Sequence, residues 1–97
     1  MPKIISNTTP ILSLLKIGKL ELLQNLYGGI SVPREVFKEI EYGKSKDFYV
    51  DLSKIDWIKI EKIKNFNLLS EFIDLDKGEA ETIILAKETK ADLIIID

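Results

Sequence analysis

Apolar and polar positions fall along this chain in blocks of two kinds, short β-prone runs and longer stretches of helical period. Lys3 to Ser6 is a short strand-like run, ended by the polar turn Ser6-Asn7-Thr8-Thr9-Pro10. Pro10 suits the first turn of a helix, with Thr8 or Thr9 as its N-cap. Ile11, Leu12, Leu14 and Leu15 then recur at helical spacing until Gly18. Leu20, Leu22, Leu23 and Leu26 form a second stripe closed by Gly28-Gly29. Ile30-Ser31-Val32 reads as a strand. Pro33 opens a third helix through Ile40, with Val36, Phe37 and Ile40 facing inward.

Glu41 to Ser53 has no period and predicts an exposed connection. Trp57 to Glu61 alternates like a strand with one solvated face. Asn65 to Asp74 is helical in pattern, and Asp76-Lys77-Gly78 breaks it. Glu79 to Thr89 predicts a further helix, with Ala80, Ile83, Ile84 and Lys87 along one stripe. Leu93-Ile94-Ile95-Ile96 is a continuous apolar run, as expected of a strand covered on both faces. Strands alternating with helices predict an α/β fold: a parallel sheet with helices on both faces. Ligands of such sheets sit beyond the strand carboxyl ends, where strand order reverses. Asn7 and Asp97 occupy that kind of position if the first and last strands pair.

Composition narrows the chemistry more than the fold. At 97 residues the chain is one domain, and 45% apolar with 31% charged residues is ordinary for a folded one. There is no Cys and no His, which excludes thiolate nucleophiles, Ser-His triads and His-ligated zinc. The oxygen donors that remain suit magnesium, calcium or manganese. With 14 Lys plus Arg against 16 Asp plus Glu, a net of −2, nucleic acid must be met by a local patch. No run reaches the ~20 apolar residues of a membrane span, so a cytoplasmic location is expected. No Gly-x-Gly-x-x-Gly or P-loop sequence follows a strand, which weighs against a nucleotide-binding Rossmann domain.

Asn7, Glu39, Glu79 (with Glu81 close by) and Asp97 can meet above the sheet. Carboxylates in one cleft repel each other unless a hard divalent cation neutralises them. That cation can then activate a water for phosphodiester hydrolysis.

At this point the order of motifs resembles a known family. Ile5-Ser6-Asn7-Thr8-Thr9-Pro10 through Gly18 resembles the opening of a prokaryotic branch of the PIN superfamily. Val32-Pro33-Arg34-Glu35-Val36-Phe37-Lys38-Glu39-Ile40 resembles the next signature, with Glu39 at the second acidic position. Gly78-Glu79-Ala80-Glu81 and Ala91-Asp92-Leu93-Ile94-Ile95-Ile96-Asp97 resemble the third and fourth. The resemblance implies a PIN-like fold over residues 1–97 and a metal-dependent ribonuclease using Mg²⁺ or Mn²⁺ at Asn7, Glu39, Glu79 and Asp97. It also implies single-stranded RNA as substrate and kinship with VapC-type toxins, which an antitoxin protein restrains; a homodimer is expected. Two departures stand out. Asn7 replaces a carboxylate, so the site holds one negative charge less. Such domains also continue beyond the position of Asp97, which predicts a domain incomplete at its C-terminal end, lacking a last strand. Its final apolar strand would then lie at an open edge. Both departures favour a second reading, a catalytically inactive PIN-like interaction module.

Each residue also has a plainer role. Asn7 can be a turn former or helix cap, Glu39 a solvated helix residue, and Glu79 and Glu81 favourable charges at a helix start. Residues two apart do not share a helical face, so only one of the last two should enter a cleft; Glu79 is preferred. Asp97 is terminal, where fraying competes with a site role. Lys16, Lys19 and Arg34 can meet phosphates or simply solvate their helices, and Phe48, Tyr49 and Trp57 can stack on bases or pack internally.

Overall fold

Ile4 and Ile5 are neighbours in one strand, both buried, yet they enter different cores. That split follows from the two-residue period of a strand, and it lays out the molecule. The computed structural model describes residues 2–96. Strand β1 (Ile4–Ser6) leads into helix α1 (Thr8–Lys16), followed by α2 (Glu21–Tyr27), β2 (Ile30–Pro33) and α3 (Arg34–Glu41). After the irregular stretch come β3 (Ile58–Glu61), α4 (Lys77–Thr89) and β4 (Leu93–Ile95). The described strands form one sheet in the order β3-β2-β1-β4, and every pairing is parallel.

The larger core lies on the Ile4 side. Ile11 and Leu15 of α1, Leu20 and Leu23 at α2, and Val36 and Ile40 of α3 pack there on Ile30 and Val32. The smaller core, on the Ile5 side, joins Ile84 and Leu85 of α4 with Ile63. Helices therefore cover both faces, as the sequence predicts.

The helix ends show why these segments stop where they do. Gly18 takes φ +68°, which glycine adopts without steric cost. Its N–H bonds the Leu15 carbonyl at 3.0 Å, while Lys19 N–H reaches Leu14 at 2.9 Å, the paired closure of a Schellman motif. Helix α4 begins with Asp76, whose carboxylate accepts the Glu79 N–H at 2.8 Å. It ends on Lys90 in the left-handed region, at φ 53°.

Several details differ from the sequence reading. Asn7, rather than Thr8 or Thr9, is the N-cap position of α1. The stretch from Asn65 forms a 3-10 helix, Phe66–Phe72, in place of a regular α-helix. Asn65 gives it no side-chain cap, so it rests on Leu68, Leu69 and Phe72 packing against the smaller core. The connection after Glu41 is pinned by a short 3-10 turn, Leu52–Lys54, with Leu52 fully buried. In α4 the buried face runs through Gly78, Glu81, Thr82 and Leu85 as well as Ala80 and Ile84, and Lys87 faces solvent. Leu22 and Leu26 are exposed, so the α2 stripe is only partly core. Strand β4 lies at the edge of the described sheet, as the resemblance implies, but Leu93 is 41% exposed, so the strand is not covered on both faces.

Candidate functional site

The strand order puts the reversal at β1: the chain steps outward to β2 and β3, then returns to β4 on the other side. The crevice of a parallel sheet opens there, above the carboxyl ends of β1 and β4. Asn7 stands at that point. Its N–H continues the ladder by bonding the Ile95 carbonyl at 3.0 Å, and the residue is only 6% exposed. Its side chain does not cap α1. The plainer role of helix cap is therefore not what Asn7 performs.

Thr8 connects Asn7 to the next candidate. As the first residue of α1 it is buried, and its hydroxyl donates to Glu39 Oε2 at 2.8 Å across 31 residues of sequence. A hydrogen bond to a charged acceptor contributes about 1.5–3 kcal/mol and fixes the carboxylate's direction. Glu39 lies one turn into α3, and its other face meets α4. A Cβ built on Gly78 would collide with Glu39 Oε1 and sit 3.1 Å from its carboxyl carbon. A side chain at 78 would displace the Glu39 carboxylate, which occupies the space its Cβ would take. Among the described residues no Lys or Arg pairs with Glu39; the ion pairs there are Lys3–Glu61 and Lys38–Glu35.

Glu79 follows Gly78 in the first turn of α4 and is half-buried. Glu81 serves another purpose. It is 6% exposed, and its Oε1 accepts the backbone N–H of Glu35 at 3.1 Å, in the first turn of α3. Burial pushes the Glu81 carboxyl above its ordinary range; the Glu35 N–H opposes this, the Glu35 charge adds to it, and Lys38 and Arg34 oppose it. Glu81 thus locks α4 to the start of α3.

The structure links Asn7 to Glu39 through Thr8 and seats Glu39 against Gly78, the residue that precedes Glu79. Asp97, two residues beyond β4, lies outside the described residues. Among the described residues no three carboxylates stand together as a ready cation cage. The role of Gly78 as a seat for Glu39 was not legible beforehand, although the Gly-Glu pair at a helix start is a signal for it. The Glu81–Glu35 lock has no sequence signal, because it depends on how two distant helices meet.

A parallel sheet with helices on both faces, and polar residues at its switch point, defines a Rossmann-like α/β domain. A family model described as PIN domain matches residues 3–97. The chain therefore belongs to the PIN-domain family. No curated protein and no solved structure matches it significantly. PIN domains generally bind divalent metals, and the donors here suit them: an amide oxygen and carboxylates are hard ligands, and among the described residues Glu39 has no competing cation. No described helix is long and apolar enough to cross a membrane.

Proposed function

We propose that this PIN domain is a metal-dependent ribonuclease of the VapC type, acting on single-stranded RNA through Asn7, Glu39, Glu79 and Asp97. The observation that carries this reading is the Glu39 carboxylate, held by the Thr8 hydroxyl beside Asn7 and seated on Gly78 with no cationic partner among the described residues. Mg²⁺ or Mn²⁺, when bound, supplies Lewis acidity and lowers the pKa of a coordinated water. Thr8 orients Glu39, and Gly78, the residue before Glu79, leaves room for the Glu39 carboxylate against α4. Asn7 contributes an uncharged oxygen, which implies a weaker ion site than an all-carboxylate one. The test is cleavage of a fluorogenic single-stranded RNA. Activity should require added Mn²⁺ and fall sharply in Glu79→Gln; cleavage that survives both EDTA and that substitution overturns the mechanism.

A second reading, an inactive PIN-like interaction module, is favoured by Asn7 and by the apolar side chains that α1 and α2 leave uncovered. Ile17, Leu22 and Leu26 are all exposed, Leu26 by 71%. The same surface supports a homodimer or an antitoxin partner. Absence of Mn²⁺ binding, together with a stable dimer in solution that Leu26→Lys dissociates, would select this reading.

A further inference from the structure

We propose that the cavity between α1, α3 and the 43–49 segment is a base-binding subsite, seating one unpaired nucleobase next to the scissile phosphate of a single-stranded RNA. This rests on the nuclease reading above and adds to it where the substrate lies. The cavity holds about 310 Å³, at the small end of ligand pockets and suited to a single nucleotide. Its wall is apolar and aromatic, through Ile40, Phe48 and Tyr49, and three charged residues border it: Lys16, Lys46 and Glu39. Glu39 therefore belongs both to this wall and to the candidate ion site, so the cavity adjoins that site.

The chemistry fits RNA in three respects. Phe48 offers a π-face, and the Lys16 ammonium lies 5.9 Å from its ring centroid, a weak contact that an incoming base can replace. Lys16 and Lys46 are exposed and can follow the phosphates on either side of the bound base. Tyr49 is held in place because its hydroxyl donates to Glu41, so the cavity wall is preorganised. In a chain of net charge −2, two lysines beside an aromatic wall form the kind of local patch that RNA requires. Stacking is tolerant of sequence, so the subsite should select single strands over duplexes rather than one base over another.

The test is fluorescence anisotropy with a short labelled single-stranded RNA in EDTA, which separates binding from cleavage. Phe48→Leu should weaken binding roughly 5- to 150-fold, the range for loss of one stacking platform. Phe48 is partly buried, so Lys46→Ala at an exposed position provides the variant that cannot unfold the chain. It should reduce the slope of log affinity against log salt by about 0.7, as expected for one lost contact to a single strand. Mn²⁺ affinity should be unchanged in both. Wild-type binding that neither substitution alters overturns the subsite and leaves the nuclease reading standing. No wild-type binding to RNA, or equal binding to duplex, overturns both.

Discussion

Replacing Gly78 by alanine separates stability from ion binding, because the two respond to the same collision in different ways. The new Cβ would overlap Glu39 Oε1, whereas ordinary contact begins at 3.4 Å. The carboxylate must therefore retreat by roughly 1 Å, a displacement large enough to disable a positioned group. Retreat breaks the 2.8 Å bond from Thr8, which costs about 1.5 kcal/mol at the low end appropriate to a half-exposed carboxylate. Alanine returns about 0.5–1 kcal/mol through its better helix propensity. The net loss is about 0.5–1 kcal/mol, or at most about 8 °C in Tm for a domain of this size. Ion binding has no such compensation, since a ligand 1 Å out of place no longer reaches bonding distance. Mn²⁺ affinity by calorimetry should fall about 10- to 100-fold, as for the loss of an orienting contact, while thermal melting shows a folded domain. A well-folded Gly78→Ala protein that binds Mn²⁺ as tightly as the wild type would refute the role given to Glu39.

Other residues give independent tests. Burial raises the Glu81 pKa above its ordinary 4.5, so the folded state holds the proton more tightly and stability falls as pH rises above that value. Glu81→Gln keeps an acceptor for the Glu35 N–H and removes this slope; parallel Tm profiles for the two proteins would contradict it. The hydrogen bond to Glu41, with smaller effects of desolvation and of the Asp51 and Glu41 charges, pushes the Tyr49 phenol up to about 12. Glu41→Gln should return one tyrosine towards 10.0 in an ultraviolet pH titration, and an unchanged curve would count against the bond. Lys90 occupies a left-handed position at φ 53° that costs roughly 1 kcal/mol for a residue with a Cβ. Lys90→Gly should therefore raise Tm by several degrees, and a lower Tm would show that the lysine side chain matters more than the backbone.

The fold was largely legible because its signals are local. Strand-length apolar runs, Gly18 and Gly28 at helix ends, and Pro33 before α3 mark the elements without reference to anything distant. Element faces were less legible. Spacing alone predicts an α4 stripe through Lys87, because period does not say which neighbour the helix meets; Glu81 turns inward since the first turn of α3 offers it an N–H. Leu93 to Ile96 look like a strand covered on both faces by composition, yet β4 lies at the edge of the described sheet, where the family resemblance and not the apolar run places it. At the site, Asn7 and Glu39 were nameable from motif order. Their connection through Thr8, and the seating of Glu39 against Gly78, arise only when α1, α3 and α4 converge.

Anomalous diffraction from crystals grown with Mn²⁺ puts the ion itself on view. A peak coordinated by Glu39, with Glu79, Asp97 or the Asn7 amide completing its shell, is the predicted result. Crystals at saturating Mn²⁺ with no peak beside Glu39, or with the ion bound only at distant carboxylates, would contradict the claim that these side chains form one cation site.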